Sequence, residues 1–226
     1  MITYKRATEN DIDFIVEAII EAEKSGTNRL SYSTVFDYNF DQVNELIKNA
    51  LLEDIPGHEL SLSGFILAYI NNEHAGAVCS WIEAVEEIPS AVIKANVLYY
   101  FLGQETILKA SPKAKFIETL NISRDAGTLQ IESVYVCNKY RGLGVSNKLI
   151  LEHIKDAIRV GNSFSKVQIH VAETNDAAIK SYLKLGFKTK IRKKCEDPDI
   201  LKILPSDTRI MMELDIHDLY KNKLIV

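Results

Sequence analysis

The length, composition and charge of the chain set the first limits on what it is. It has 226 residues, of which 46% are hydrophobic and 26% are charged, and this balance is typical of one globular domain. The 27 basic and 31 acidic residues give a formal charge of −4, so the chain as a whole does not attract a polyanion. The charge therefore argues against a nucleic-acid partner and against binding to an anionic membrane surface.

Cysteine usage and hydropathy predict a reduced, cytoplasmic protein. Cys79, Cys137 and Cys195 are far apart, form no CxxC pair and have no histidine cluster at zinc spacing, so neither a disulfide framework nor a metal site is expected. The first residues lack the apolar core of a signal peptide. The longest uncharged run, residues 60–72, is shorter than the ~20 residues of a membrane span.

The first part of the chain alternates between strand and helix signals. Residues 2–7 have strand character, Thr8 provides a capping signal, and apolar residues then recur at helical spacing. A second helix is predicted over residues 40–52. Two strand-like runs, SLSGFILAYI and HAGAVCSWI, are joined by Asn71, Asn72 and Glu73, and asparagine readily adopts the positive φ of a hairpin turn. The predicted order is β-α-α-β-β.

Residues 89–128 interrupt this pattern. The stretch SAVIKANVLYYFLG indicates a helix, but the polar segment after it, which contains SPKAK and SRDAG, gives no clear helix or strand signal. We therefore predict a single domain of residues 1–226 with an insertion at about residues 89–128, to which the sequence assigns no further internal structure.

The last part of the chain returns to alternating strands and helices. The strand TLQIESVYV leads into a glycine turn, a helix to about Val160, the strand KVQIHVAET and the short helix DAAIKSYLKL, which Gly186 stops. Strand-like runs around FKTKIRK and TRIMMELDI follow. The whole sequence predicts an α/β (α+β) fold in which helices cover a mixed sheet.

The turn YRGLGVSN lies between a strand and a helix and has the chemistry of a phosphate site. Glycines without a Cβ, and the free N–H groups of a helix N-terminus, bring several donors together at the positive end of the helix dipole. The spacing fits neither GxxxxGK[ST] nor GxGxxG, which argues against a P-loop and against a dinucleotide site. On these residues alone, a tight turn without a ligand is an equally good interpretation.

A second motif downstream favours the phosphate-site interpretation over a tight turn without a ligand. Residues 175–187 form the pattern Asn-x-x-Ala-x-x-x-Tyr-x-Lys-x-Gly-Phe. Together with the strand ESVYV and the turn Arg141-x-x-Gly144-x-Ser146, this pattern resembles the GNAT superfamily of acyl-CoA-dependent N-acetyltransferases, most strongly over residues 129–187. The resemblance implies a mixed, mostly antiparallel central sheet flanked by helices. It also implies an acyltransferase that uses acetyl-CoA as co-substrate and no metal.

The resemblance further implies roles for individual residues. The backbone amides of the turn hold the pyrophosphate of coenzyme A, and the preceding strand edge pairs with the pantetheine arm. Asn175 makes a hydrogen bond on the coenzyme side, and Tyr182 protonates the departing thiolate. Ser146 departs from the family pattern, which prefers Gly or Ala there. The implied coenzyme-binding residues are Val134, Tyr135, Val136, Arg141, Gly142, Leu143, Gly144, Val145, Ser146, Asn147, Asn175 and Tyr182.

Acetyl transfer to an amine also requires a base. A lysine-type amine with a pKa of ~10.4 is less than ~0.1% neutral at pH 7, so a proton must be removed. Glu132, on the strand before the turn, is the first candidate, and His170, on the neighbouring strand, is the second. An exposed glutamate and a packed histidine are the alternative interpretations.

The acceptor side carries weaker signals. The region that binds the acceptor in the family corresponds here to Tyr32, Trp81 and Glu83, which are the acceptor-binding candidates. Phe36, Tyr38, Glu86 and Glu87 lie near them in the same pattern. An aromatic ring beside carboxylates would bind a cationic amine by cation–π and charge attraction, and a solvated acidic loop is the alternative. The basic run of residues 188–194 is either an exposed strand face, which we favour, or a site for the 3′-phosphate of the coenzyme.

The sequence therefore predicts an N-acetyltransferase. It would move an acetyl group from acetyl-CoA to a primary amine of a small molecule or peptide, by direct attack in a ternary complex. The alternative is a non-catalytic acyl-CoA-binding sensor or interaction module. Tyr182 favours the enzyme, because a pure binder needs no proton donor. The sequence leaves open the acceptor, the acyl-chain length and the oligomeric state, a homodimer included.

Overall fold

A computed structural model describes residues 1–225 as a central sheet with helices on both faces. The strands are Ile2–Arg6 (β1), Phe65–Ile70 (β2), Glu73–Ile82 (β3), Leu129–Val136 (β4), Lys166–Ala172 (β5), Lys188–Lys194 (β6) and Thr208–Asp215 (β7). The α-helices are Ile12–Glu23 (α1), Ser31–Phe36 (α2), Phe40–Glu53 (α3), Ser90–Thr119 (α4), Val145–Arg159 (α5), Asp176–Leu185 (α6), Ile200–Ile203 (α7) and Ile216–Lys221 (α8).

The strands are hydrogen-bonded in the order β1-β2-β3-β4-β5-β7-β6. Every neighbouring pair is antiparallel except β4 and β5, which are parallel. The mixed sheet predicted from the sequence pattern, and the mostly antiparallel arrangement implied by the family resemblance, are confirmed. The parallel pair lies at the centre, and α5 forms the crossover that two parallel strands require.

Each face of the sheet has its own apolar layer. Helices α1 to α3 and the first part of α4 cover one face, where Ile15 and Ile47 are fully buried. Helices α5, α6 and α8 cover the other, where Leu149 and Ile131 are fully buried. We call these the α1 face and the α5 face. Because side chains alternate along a strand, successive residues of β4 and β5 face opposite layers.

Local sequence signals account for many of the element boundaries. Asp11 accepts hydrogen bonds from the backbone and the hydroxyl of Thr8 just before α1. Asn39 accepts a backbone bond from the first turn of α3. Asn71 and Asn72 have φ values of 52° and 63°, so the predicted positive φ of the hairpin turn is confirmed.

Residues 89–128 contain more structure than predicted. Helix α4 is bent at Gly103, where φ is 73° and ψ is 165°, and it continues as a helix to Thr119. The prediction of no internal structure after SAVIKANVLYYFLG is wrong for residues 104–119. The second half of α4 gains its partner from a distant segment, since Phe116 and Leu120 pack in one cluster with Ile200. A tertiary contact of this kind leaves no local sequence pattern.

Three short helices, α2, α7 and α8, lie where none was predicted. Each has six residues or fewer, too few for helical periodicity to be visible. Strand β2 begins later than the strand-like run, because residues Leu62–Gly64 form a 3₁₀ turn. Across residues 1–225, no helix combines the length and apolar character needed to span a bilayer.

Candidate active site

The two central strands separate part-way along the sheet. β4 and β5 pair only up to Ile131 with Ile169, although both strands continue. A β-bulge follows at once in β4: Ser133 has a φ of 52°, and Ser133 and Val134 lie opposite a single residue of β3. The edge of β4 beyond Ile131 therefore faces a gap, and its backbone N–H and C=O groups are available to an extended ligand.

Side chains on both faces hold this free edge in place. Tyr135 is buried on the α1 face, and its hydroxyl donates to Glu17 Oε1 at 2.7 Å. Val134 and Val136 pack against the layer on the α5 face. The predicted pantetheine-binding residues thus form a fixed strand edge beside the gap.

The glycine turn follows β4 at the N-terminus of α5. Gly142 and Gly144 have φ values of 81° and 71°, a left-handed conformation that residues with a Cβ rarely adopt. A Cβ built on either glycine would meet no atom within 4 Å, so the outer side of the turn is open. Val145 is buried and anchors the turn, whereas Leu143 and Arg141 are exposed. The first N–H groups of α5, which have no acceptor inside the helix, are therefore available to an anion.

Polar contacts connect the turn to β4 and to α6. Arg141 Nε donates to the carbonyl of Val136 at 3.1 Å. The hydroxyl groups of Ser146 and Ser181 are 3.0 Å apart, and Ser181 donates to Asn147 Oδ1 at 2.7 Å. The hydroxyl that Ser146 has in addition to an alanine is therefore bound by α6.

Asn175 is the N-cap of α6. Its Oδ1 accepts from the N–H of Ala178 at 3.2 Å, which holds the first turn of the helix. A hydrogen bond to the coenzyme would use the amide nitrogen or the second lone pair of this oxygen. The role of Asn175 in coenzyme binding stays a prediction.

Tyr182 lies on the inner side of α6 and is 5% exposed. It belongs to the layer against which Val134 and Val136 pack, and its ring centroid is 6.0 Å from that of Phe187. Burial, and secondly the charge of Glu132, raise the pKa of Tyr182 above its ordinary value. The phenol is therefore protonated at neutral pH, as a proton donor must be.

Glu132 is the last residue of β4 before the bulge. Its carboxylate accepts from Arg124 Nη2 at 2.6 Å, and the Arg124 guanidinium lies over the Trp81 ring, 5.2 Å from the centroid. Burial raises the pKa of Glu132, and the charge of Arg124 opposes this rise. The interpretation of Glu132 as an exposed-face residue is wrong, since only 21% of its side chain is exposed.

His170 follows Ile169 on β5, at the start of the gap. Both of its ring nitrogens are buried, and neither has a hydrogen-bond partner among residues 1–225. Burial, and then the charges of Arg124 and Arg209, lower the pKa of His170 to about 2. The ring is neutral at pH 7 but is a weak base, which makes Glu132 the stronger of the two candidates for proton removal.

Trp81 and Glu83 are buried at the end of β3. Glu83 is 3% exposed, and its two oxygens accept from Trp81 Nε1 and from the N–H of Ser90, both at 2.9 Å. The carboxylate thus caps α4, and protein donors occupy both oxygens. A solvated acidic loop describes the exposed glutamates further along, Glu86 and Glu87, but not Glu83.

Tyr32 is also buried, beside a second ion pair. Lys94 Nζ lies 5.4 Å from the centroid of the Tyr32 ring and 2.5 Å from Glu59 Oε1. Burial alone would raise the pKa of Glu59, but the charges of Lys94 and Arg124 hold it at about 2. The part of the molecule that holds the predicted acceptor-binding residues therefore contains two largely buried ion pairs, Glu59 with Lys94 and Glu132 with Arg124.

Sequence reasoning did not identify Arg124, Lys94, Glu59 or Arg209. Arg124 belongs to the polar SRDAG segment, which carries no signal of its own. Lys94 is the only charge in SAVIKANVLYYFLG, and a single lysine in such an apolar stretch is a usable signal for a buried ion pair. The other residues are brought together only by the fold.

Strand β6 is the exposed edge of the sheet, and all seven of its residues are exposed. Its charges take part in ion pairs, such as Lys190 with Asp125 and Glu213, and Arg192 with Glu173. The favoured prediction of an exposed strand face is confirmed. Charged residues of this kind protect a sheet edge from pairing with other chains.

Comparisons with known proteins connect this architecture to one family. The sequence profile described as "Acetyltransferase (GNAT) family" matches residues 32–187, well over half of the chain. No curated protein matches the sequence.

Solved structures share the fold at low sequence identity. An N-acetyltransferase from Staphylococcus aureus Mu50 has a TM-score of 0.64 at 17% identity, and the match covers 94% of this chain and 100% of that chain. A ribosomal-protein-alanine N-acetyltransferase from Brucella melitensis has a TM-score of 0.53 at 14% identity, with 94% and 99% covered. The aminoglycoside acetyltransferase AAC(6′)-Ib, solved with coenzyme A, has a TM-score of 0.53 at 15% identity, with 99% of each chain covered.

Proposed function

The chain belongs to the acetyltransferase (GNAT) family of acyl-transferring enzymes, and from this premise we propose that it acetylates a primary amine of a small molecule or peptide. The acetyl group comes from acetyl-CoA and is transferred by direct attack in a ternary complex. The observation that carries the proposal is the gap between β4 and β5, which begins after Ile131 and Ile169 and lies beside the open glycine turn.

The coenzyme would occupy the gap and the turn. The pyrophosphate accepts hydrogen bonds from the backbone of residues 141–147 at the positive end of α5. The pantetheine amides pair with the edge formed by Val134, Tyr135 and Val136, as an added strand would. This arrangement brings the thioester to the bulge at Ser133, where a backbone N–H near Val134 stabilises the developing oxyanion.

Glu132 and Tyr182 supply the two proton transfers. Glu132 takes a proton from the acceptor ammonium, directly or through a water molecule, and the free amine attacks the thioester carbonyl. A C–N bond forms, the C–S bond breaks, and Tyr182 gives its proton to the leaving thiolate. The second proton, which the nitrogen loses as the amide forms, returns the Tyr182 phenolate to a phenol. The raised pKa of Glu132 suits its role, because Glu132 binds a proton more readily than a solvated carboxylate. Tyr182 is protonated at neutral pH, but its raised pKa makes it a weaker acid toward the thiolate.

The test is release of free thiol from acetyl-CoA in the presence of a panel of amines and peptides. Tyr182→Phe removes the proton donor, and we expect turnover to fall by ~10²-fold or more with coenzyme affinity unchanged. Glu132→Gln removes the base, and we expect a comparable loss. Tyr69→Phe is the control, because its hydroxyl bonds to Asp11 away from the gap, and this variant should keep wild-type turnover.

Three results of these assays would contradict parts of the proposed function. Tight binding of acetyl-CoA without acetylation of any amine would favour the non-catalytic acyl-CoA-binding alternative. Full activity in Tyr182→Phe would remove Tyr182 from the mechanism. Failure to bind acetyl-CoA would contradict the assignment of the glycine turn to the pyrophosphate.

A further inference from the structure

Three strands bring polar side chains together on the α1 face at the start of the gap. Ile131 and Ile169 are the last parallel pair and face the α5 layer, so the residues after them, Glu132 and His170, share the α1 face. On β7, Arg209 is the partner of Ala172, two residues beyond His170. Residues two apart on a strand share a face, so Arg209 belongs to the same group.

Buried nitrogen atoms in this group lack hydrogen-bond partners. Arg124 Nε, which is a donor, and both ring nitrogens of His170, one a donor and one an acceptor, are buried without a partner among residues 1–225. No carboxylate of residues 1–225 lies within salt-bridge distance of Arg209. A guanidinium can only donate, and a neutral imidazole has one N–H donor. Buried polar groups are nearly always satisfied in a working protein, so the missing partner presents oxygen acceptors to Arg124 Nε and to the N–H of His170.

The charge of Arg209 favours an anion as that partner. The carboxylate of Glu132 is paired with Arg124, that of Glu59 with Lys94, and Glu83 accepts from two N–H donors. The Glu83 donors are neutral, so these groups together carry three negative and three positive charges. Arg209 is the one cation among them without a carboxylate within salt-bridge distance, and a carboxylate placed against it would be attracted.

On the basis of the proposed function, we propose that the acceptor is an amino acid: a small molecule with a carboxylate one or two carbons from its primary amine. The carboxylate accepts hydrogen bonds from Arg209, Arg124 Nε and His170. The amine then lies beside Glu132, at the mouth of the gap that holds the thioester. Arg209 acts as a specificity-determining residue for the acceptor.

Matched acceptors test this inference. Each amino acid is assayed by thiol release beside its primary amide and its decarboxylated amine, so that the carboxylate is the main difference within a set. We expect kcat/KM for the best amino acid to exceed that of its amide by about tenfold or more, which is the usual effect of a charge-assisted hydrogen bond. Arg209→Gln should reduce this ratio several-fold, because only the bonds from Arg124 Nε and His170 remain, and Arg209→Lys should reduce it less. The ratio is measured within one protein preparation, so partial unfolding of a variant leaves it unchanged.

Arg192→Gln provides the matched control. Arg192 lies on the adjacent strand β6, is exposed and pairs with Glu173, so its loss should leave the ratio of acid to amide unchanged. Equal kcat/KM for acids and amides in the wild type, or a ratio unaffected by Arg209→Gln, overturns the inference and leaves the proposed function standing. Absence of thiol release with every acceptor overturns the proposed function itself, and the inference with it.

Discussion

The two sides of the gap between β4 and β5 are built in different ways. On the proposed coenzyme side, an exposed turn with Gly142 and Gly144 at positive φ presents backbone N–H groups, and few side chains take part. On the proposed acceptor side, side chains from several helices, strands and loops form a cluster of charges that is largely removed from solvent. The first side is a feature of main-chain geometry, and the second is a feature of tertiary packing.

This difference determines how each side responds to change. A backbone site tolerates variation of exposed side chains and is sensitive to a Cβ at its glycines. A buried polar cluster depends on every partner, because removing one group leaves another unsatisfied in a medium of low dielectric constant. Substitutions on the acceptor side should therefore alter folding stability as well as activity, whereas those in the turn should mainly alter coenzyme affinity.

The largest effect is expected at Glu83. Glu83→Ala leaves the buried Trp81 indole N–H and the N–H of Ser90 without their acceptor, and each unsatisfied donor costs ~1–3 kcal/mol. We expect the free energy of unfolding, measured in urea, to fall by ~2–4 kcal/mol. This loss would identify Glu83 as the cap of α4 and a support for Trp81.

The control for this prediction lies on α4, the helix that Glu83 caps. Glu105→Ala removes an exposed carboxylate that pairs with Lys109, and no measurable change in stability is expected. If Glu83 instead binds the acceptor and has no structural role, Glu83→Ala will unfold at the wild-type urea concentration and lose only kcat/KM for amines.

The same contrast explains what the sequence predicts and what it does not. Strand β4, the glycine turn and α6 are each encoded within about a dozen consecutive residues, so their patterns are visible without the fold. The partnership of Glu132 with Arg124 depends on a segment with no pattern, and the proximity of Arg209 to His170 depends on the register of β7. Local propensity carries no information about such contacts.

The pH dependence of stability provides the next test of the acceptor side. The folded-state pKa of His170 is about 2, and the unfolded value is ~6.5. The unfolded chain therefore binds a proton that the folded chain does not bind, and stability is lost as the pH falls below ~6.5. For one such histidine the loss between pH 7 and pH 5 is about 2 kcal/mol.

His170→Leu should remove this part of the pH dependence. We expect the variant to be at least as stable as the wild type at pH 7, because two unsatisfied nitrogens are replaced by an apolar group. At pH 5, its free energy of unfolding should exceed that of the wild type by a larger margin than at pH 7. His153 is also buried, but its contribution is the same in both proteins and cancels in the difference. His217→Gln, at an exposed position, is the control and should follow the wild type. Parallel stability curves for wild type and His170→Leu would mean that the His170 ring is solvated, and that the acceptor side is not the low-dielectric cluster described above.

The smallest effect is expected in the turn, where the comparison can be made within one helix. Gly144 at the start of α5 and Gly161 just beyond its end have φ values of 71° and 89°, and a Cβ on either meets no atom within 4 Å. An alanine at each position therefore carries a similar strain of about 1 kcal/mol, from the left-handed backbone alone. Only the Cβ of Gly144→Ala projects where the pyrophosphate would approach the N–H groups. We expect its dissociation constant for coenzyme A, measured by calorimetry, to rise about tenfold, while Gly161→Ala keeps the wild-type value. An equal affinity for both variants, at equal stability, would mean that the phosphate groups are held by side chains, and the contrast between a backbone site and a side-chain site would no longer hold.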